Sequence, residues 1–211
     1  MKRQFFRNSF RVQTDPPNHG SGLDAVRCRA ERTIAVGLPE EALERHVVVD
    51  LETTGLSPRQ GHRVIEIGAV AIENGAIAGE FSTLIDAGVP IPPEVQAIHG
   101  ITDGMLEGRP PPAEAFPRFL EFLAGGVLVA HNAAFDIRFL RHEFARLKMT
   151  LPSRHVCTLE LSRRRLPRLM DYTLETVYLH FFPDPTFLRQ SHRALDDARM
   201  TAKIWMKLMG G

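Results

Sequence analysis

A run of three β-branched residues, Val47-Val48-Val49, ends at two acidic residues, Asp50 and Glu52. A short apolar run of this kind is typical of a buried strand. Because residues two apart on a strand point to the same face, the two carboxylates aim at one spot. That spot lies at the carboxyl end of the strand, where open α/β sheets usually place their ligand sites. The run therefore predicts a central strand that presents a pair of carboxylates.

The segments that follow predict an α/β fold, with a mixed sheet flanked by helices. A second strand over residues 63–73 and a third over 76–85 meet at Asn74-Gly75, which is a strong hairpin signal, so the first three strands form an antiparallel meander. A helical region with several prolines covers residues 93–123. We then expect a buried strand at 127–130, a helix from about 133 to 147, and an edge strand or a helix start within 156–161. This order favours a mixed sheet between helices.

The chain divides into an N-terminal extension, residues 1–45, and a main domain, residues 46–211. Residues 1–22 are polar and rich in turn-forming residues, which predicts poor order, and residues 23–45 have a composition that favours helix. The first 11 residues are basic, which is typical of a frayed N-terminal arm and also of a mitochondrial transit peptide. We favour the arm.

Charge and cysteine content narrow the class of protein. Lys and Arg number 26 against 25 Asp and Glu, a net charge of +1, which argues against a binder that relies on bulk positive charge. An enzyme of nucleic acids remains compatible, because metal ions supply positive charge locally at an acidic site. The two cysteines, Cys28 and Cys157, do not suggest a disulfide framework, so we expect a reducing, cytoplasmic location. No apolar run approaches the ~20 residues that cross a bilayer, so no membrane association is predicted.

A second polar cluster, His131 to Asp136, directly follows the strand at 127–130. Asn132 is placed to cap the next helix. Asp136 then falls in the first turn, where a carboxylate complements the helix dipole. Taken alone, this cluster is explained by helix stabilisation as well as by metal binding.

A third cluster lies at the start of the final helix and contains His192, Asp196 and Asp197. A histidine beside an acidic metal site suits a general base, because its ordinary pKa of about 6.5 lies near working pH. The alternative is a surface histidine at a helix end. Either aspartate is a candidate metal ligand.

Together the three clusters resemble the DEDDh branch of the DnaQ-like 3′–5′ exonucleases, which includes the exonuclease domain of the DNA polymerase III epsilon subunit. The resemblance covers roughly residues 46–208 and also includes the segments at 98–102, 157–164 and 172–174. The third motif of that family, H-x-A-x-x-D, selects Asp197 over Asp196.

The resemblance implies a ribonuclease H-like fold and a two-metal site. Two Mg²⁺ or Mn²⁺ ions would be held by Asp50, Glu52, Asp136 and Asp197, with His192 as the general base. The implied reaction releases nucleoside 5′-monophosphates from the free 3′ end of a nucleic acid, with single-stranded DNA as the favoured substrate.

Substrate contacts follow from the same resemblance. The expected contacts are Thr53, Thr54, Gly55, Ile98, His99, Asn132 and Phe135. Two of them have structural alternatives: a packing role for Phe135 and a helix cap for Asn132. Four arginines, at positions 163, 164, 165 and 168, form either a guide for the nucleic-acid backbone or a solvated helix face.

Two further functions remain open. An RNA-trimming exonuclease of the same family would carry the same catalytic residues, since discrimination depends on contacts to the 2′-OH. A proofreading subunit would act mainly by binding a DNA polymerase or another replication or repair partner. The epsilon-type subunits dock through a C-terminal tail, and the end of this chain at Gly211 argues against that mode.

Overall fold

The computed structural model describes residues 44–151, 154–184 and 193–210. The predicted extension therefore falls almost entirely outside the described residues, and so does His192.

A five-stranded mixed sheet forms the centre of the described structure. Its order is β3-β2-β1-β4-β5, with β1 antiparallel to β2, β2 antiparallel to β3, and β1, β4 and β5 parallel. This confirms the predicted α/β class and the antiparallel meander. The strands are β1 (His46–Thr53), β2 (Val64–Glu73), β3 (Ala76–Leu84), β4 (Val127–Ala130) and β5 (His155–Cys157).

Helices cover both faces of this sheet. The predicted helical region at 93–123 consists of three helices, separated at Gly100 and Gly108, which both have a left-handed backbone. The segment at 156–161 contains both predicted alternatives, an edge strand and then a helix. The helices of the described residues are α1 (Pro93–His99), α2 (Asp103–Leu106), α3 (Pro112–Leu123), α4 (Ala133–Arg146), α5 (Thr158–Arg165), α6 (Leu174–Phe181) and α7 (Ala194–Gly210). Within the described ranges, no helix combines the length and the apolar character that crossing a bilayer requires.

The alternation of side chains along β1 decides which helices its two faces meet. Val47, Val49 and Leu51 pack into a cluster with the phenylalanines of α3 and α4. Val48 points to the opposite face, where it packs with Ala198, Ala202 and Trp205 of α7. Asp50 and Glu52 share the face of Val48 because side chains alternate along a strand. The two carboxylates therefore face α7.

A buried ion pair ties α4 to the beginning of β2. The Nε and Nη2 atoms of Arg63 donate to the two carboxylate oxygens of Glu143 at 2.7 and 2.8 Å. The Glu143 side chain is only 2% exposed and that of Arg63 15%. Arg63 also donates to the carbonyl oxygen of Ala87 at 3.1 Å, so it joins three segments. These hydrogen bonds to Glu143 raise the pKa of the Arg63 guanidinium above its ordinary value.

We predict that Arg63→Ala lowers the free energy of unfolding by about 3–5 kcal/mol, because it leaves the Glu143 carboxylate buried without its partner. Urea unfolding measures the change. The matched control is Arg154→Ala, which removes an exposed pair with Glu44 and should cost less than about 1 kcal/mol. Equal losses in the two variants would contradict the account of the buried pair.

Candidate active site

Three carboxylates meet where β1 ends and α7 begins. One oxygen from each of Asp50, Glu52 and Asp197 lies within 4.8 Å of the others. Glu52 is 1% exposed, while Asp50 and Asp197 are half-buried. The cluster is thus closed on the side of Glu52 and open on the side of the two aspartates.

Gly68 allows α7 to approach the sheet at this point. It pairs with Asp50 in the register of β1 and β2. A Cβ atom at Gly68 would lie 2.1 Å from the backbone nitrogen of Leu195 and 2.2 Å from the carbonyl carbon of Ala194. Only glycine leaves room for this contact. The first turn of α7 therefore lies at the level of Asp50, and Asp197 in that turn reaches the two carboxylates of β1.

The donor set fits a hard divalent cation. Mg²⁺ and Mn²⁺ prefer carboxylate oxygens, and three carboxylates supply them here. Two unit negative charges at such a separation repel each other by about 3 kcal/mol at an effective dielectric constant of about 20. A cation among the three oxygens replaces this repulsion by attraction.

The other two predicted catalytic residues, Asp136 and His192, are not among the three carboxylates of this cluster. Asp136 is buried in the first turn of α4, as the sequence predicts. Among the described residues, however, the group of mutually close ligand atoms contains Asp50, Glu52 and Asp197 but not Asp136. His192 lies outside the described residues, and the structure begins again at its neighbour Arg193.

Asp197 and its neighbour Asp196 have different surroundings. An oxygen of Asp196 accepts a hydrogen bond from Arg199 at 3.0 Å, and Arg199 also binds Glu80 of β3. The structure thus brings Asp197, and not Asp196, to the carboxylates of β1.

Of the two alternatives for Asn132, the structure does not support a helix cap formed by its side chain. Asn132 occupies the N-cap position, but its backbone is left-handed, with φ of 68°, and its side chain makes no capping hydrogen bond. A capping side chain normally requires an extended backbone at this position. The preceding residue, His131, bridges two segments instead: its Nδ1 lies 3.0 Å from the hydroxyl of Thr158 and its Nε2 2.8 Å from the carbonyl oxygen of Tyr172.

The loop after Glu52 is held by its own side chains. The hydroxyl of Thr53 donates to the carbonyl oxygen of Gly55 at 2.7 Å, and that of Thr54 accepts from the backbone nitrogen of Arg63 at 3.0 Å. Gly55 lies against the ring of His62, since a Cβ atom there would be 2.6 Å from it. These contacts fix the shape of the loop beside the carboxylates, while substrate binding by the loop stays a prediction.

The remaining predicted substrate contacts are partly or fully buried. His99 is 3% exposed, and its Nδ1 accepts from the backbone nitrogen of Ile101 at 3.0 Å. Ile98 is half-buried. Phe135 is half-buried too, with its ring centroid 5.0 Å from that of Phe139. This supports a packing role for Phe135 alongside any contact with substrate.

The four arginines at 163, 164, 165 and 168 are exposed.

Sequence reasoning missed two residues that lie beside the site, Gly68 and Glu66, which pair with Asp50 and Glu52 in the register of β1 and β2. Both had a signal in the sequence. A glycine inside a strand often marks a close approach of another backbone. A glutamate inside an apolar strand must find a partner, because buried charges are paired.

A protein-family model described as "Exonuclease" (RNase_T) matches residues 47–205, which include all three acidic members of the cluster. This chain belongs to that exonuclease family. The membership confirms the predicted enzyme class, an exonuclease, and the resemblance to the DnaQ-like DEDDh branch.

Two named relatives illustrate the similarity. The DNA polymerase III subunit epsilon of Rickettsia conorii is 39% identical over 173 residues, which cover 79% of this chain and 74% of that protein. The PolC-type DNA polymerase III of Caldanaerobacter subterraneus is 41% identical over 177 residues. The match covers 83% of this chain but only 12% of that polymerase.

Solved structures of exonucleases have the same fold. Exonuclease X in complex with 5′ overhanging duplex DNA is 29% identical, with a TM-score of 0.61, and the match covers 78% of this chain and 91% of that one. The nuclease domain of 3′hExo, a DEDDh family member bound to rAMP, has a TM-score of 0.68 at 14% identity, over 80% of this chain and 92% of that one. Both confirm the predicted ribonuclease H-like fold.

We predict that Gly68→Ala lowers the free energy of unfolding by about 3 kcal/mol or more, the upper part of the range for overpacked sites, because the new methyl group meets the backbone of α7. Chemical unfolding measures the loss.

Gly79→Ala is the matched control, another glycine within a strand. The nearest atom to its added Cβ would be a ring carbon of Phe122 at 3.7 Å, an ordinary contact. This variant should keep its stability or gain up to about 1 kcal/mol, as alanine does over glycine within a strand. Equal effects at the two glycines would show that the approach of α7 to Gly68 is not as close as described.

Proposed function

We propose that this exonuclease removes nucleotides one at a time from the free 3′ end of single-stranded DNA and releases nucleoside 5′-monophosphates. The observation that carries the proposal is the meeting of Asp50, Glu52 and Asp197 within 4.8 Å at the end of β1. The named relatives, a DNA polymerase III epsilon subunit and a PolC-type DNA polymerase III, and the DNA complex of exonuclease X support DNA as the substrate.

In this proposal four carboxylates hold two divalent cations, Mg²⁺ or Mn²⁺. They are Asp50, Glu52, Asp136 and Asp197. When bound, such a pair of ions stabilises the attacking and leaving oxygens of an in-line displacement at phosphorus. Without cations the carboxylates would repel the phosphates of the substrate, so both binding and turnover should depend on metal.

The chain's own groups move the proton and place the substrate. His192 takes the proton of the attacking water. Thr53, Thr54 and Gly55 meet the terminal nucleotide through the fixed loop beside Glu52. Ile98 and His99 contact the last bases, and the exposed part of Phe135 stacks on a base. Asn132 contacts the substrate instead of capping α4.

The similarity to a DNA polymerase III epsilon subunit and to a PolC-type DNA polymerase III favours a second role, proofreading in association with a DNA polymerase. In that role the same site removes misincorporated nucleotides while another surface binds the polymerase. We propose a cytoplasmic location for both roles.

The test is an assay with 5′-labelled single-stranded DNA and RNA of the same sequence, with Mg²⁺ or Mn²⁺ and with EDTA. We expect stepwise shortening from the 3′ end, release of 5′-mononucleotides, faster cleavage of DNA, and complete loss in EDTA. His192→Ala should lower the rate by about 10²–10⁴-fold, the usual contribution of a general base. Faster cleavage of RNA than of DNA would contradict DNA as the proposed substrate and would favour oligoribonucleotides.

Two adjacent aspartates provide a matched pair for the same assay. Asp197→Asn should lower the rate by more than roughly 100-fold, beyond the effect of residues that only orient metal ligands. Asp196→Asn removes the negative charge that pairs with Arg199 but keeps an oxygen that can accept its hydrogen bond, and it should keep most of the activity. Similar losses in both variants would sink the assignment of Asp197.

A further inference from the structure

Glu66 is a buried carboxylate that lies beside the acidic cluster without belonging to it. It pairs with Glu52 in the register of β1 and β2 and is 1% exposed. Leaving a charge buried in this way costs several kcal/mol unless hydrogen bonds and an opposite charge compensate it. The partners of Glu66 therefore indicate what it does.

Among the described residues, the hydrogen-bond partners of the Glu66 carboxylate are Arg193 and Ala194, at the start of α7. Arg193 donates from Nε to both carboxylate oxygens, at 3.0 and 3.1 Å, and from Nη2 to Oε1 at 2.6 Å. The backbone nitrogen of Ala194, the first residue of α7, donates to Oε2 at 3.1 Å. Glu66 thus binds both the guanidinium and one of the N–H groups that a helix leaves without an internal partner at its start.

These contacts fix the start of α7 against the strands that carry the cluster. A carboxylate at a helix N-terminus also complements the helix dipole. The Gly68 contact sets how close α7 comes to β2, and Glu66 sets where its first turn lies along the strand. Asp197 belongs to this turn, and residue 192 directly precedes Arg193.

Arg193 also interacts electrostatically with Glu52, a member of the acidic cluster. Its hydrogen bonds to Glu66 raise the pKa of its guanidinium, and the charges of Glu52 and Asp196 raise it further. Because Arg193 is close to Glu52, a loss of Glu66 alone would leave an extra positive charge near the metal ligands. The two effects, position and charge, must be separated by experiment.

We propose that Glu66 is a positioning residue: its carboxylate anchors the first turn of α7 and thereby holds Asp197 at the distance from Asp50 and Glu52 at which the three bind a divalent cation. This inference rests on the proposed function, in which these residues are metal ligands.

The deciding variant is Glu66→Ala combined with Arg193→Ala, which removes the anchor while leaving the net charge unchanged. Mn²⁺ binding is followed by the electron paramagnetic resonance signal of the free ion, and hydrogen exchange is followed at the backbone amides of residues 194–198. Mn²⁺ binding and hydrogen exchange are both measured at a temperature at which a thermal unfolding curve shows that each variant is folded.

We expect the double variant to require about tenfold more Mn²⁺ for half-occupancy, as expected when ligand-orienting residues are lost. Exchange at residues 194–198 should accelerate, while residues 200–208 stay protected by their packing. Glu66→Gln keeps an oxygen that can accept from the backbone nitrogen of Ala194. It should therefore accelerate exchange at residues 194–198 less than the double variant does.

The matched control is Glu80→Ala combined with Arg199→Ala. This pair also joins α7 to the sheet by two hydrogen bonds, at 2.9 and 2.6 Å, but it holds α7 to β3. The control also removes the hydrogen bond from Arg199 to Asp196, so exchange at residues 194–198 should change less than in the Glu66 double variant, and Mn²⁺ binding should stay unchanged.

Mn²⁺ binding and exchange like those of the wild type in the Glu66 double variant, or equal changes in the control, would overturn the inference. A wild-type protein that neither bound Mn²⁺ nor shortened nucleic acid would instead overturn the proposed function. The exchange rates at residues 194–198 would then decide by themselves whether Glu66 anchors α7.

Discussion

The candidate active site depends on the contact between the first turn of α7 and Gly68 of β2. In the described chain this contact brings Asp197 to Asp50 and Glu52, which lie about 150 residues earlier. Side chains alternate along β1, so Val48 packs against α7 on the same face of the sheet that presents the carboxylates of Asp50 and Glu52. The hydrophobic packing of α7 and the assembly of the acidic cluster are therefore one structural event.

The cluster creates a local charge that the whole chain does not show. The net charge is +1, yet one oxygen from each of three carboxylates lies within 4.8 Å of the others at the carboxyl end of β1. Glu52 is buried and Asp50 and Asp197 are partly exposed, so the cluster is accessible from the side of the aspartates. A polyanion reaches such a site only when cations offset the carboxylates.

Local patterns were enough to predict part of this arrangement. The β-branched run and the two-residue spacing located Asp50 and Glu52, and the hairpin signal located β2 and β3. The choice of Asp197 over Asp196 needed the spacing of a family motif, and the structure places Asp196 with Arg199. Contacts across long separations had no local pattern: Glu66 and Arg193 are 127 residues apart. The preference of asparagine for the N-cap position assumes an extended backbone, and the left-handed backbone of Asn132 could not be read from that preference.

X-ray diffraction from crystals soaked in Mn²⁺ shows whether Asp50, Glu52 and Asp197 form a divalent-cation site. Data collected near the manganese absorption edge locate the ion by its anomalous scattering. We expect an anomalous peak in contact with carboxylate oxygens of all three residues. A peak bound elsewhere, with none among these carboxylates in crystals of protein that shortens DNA, would contradict it.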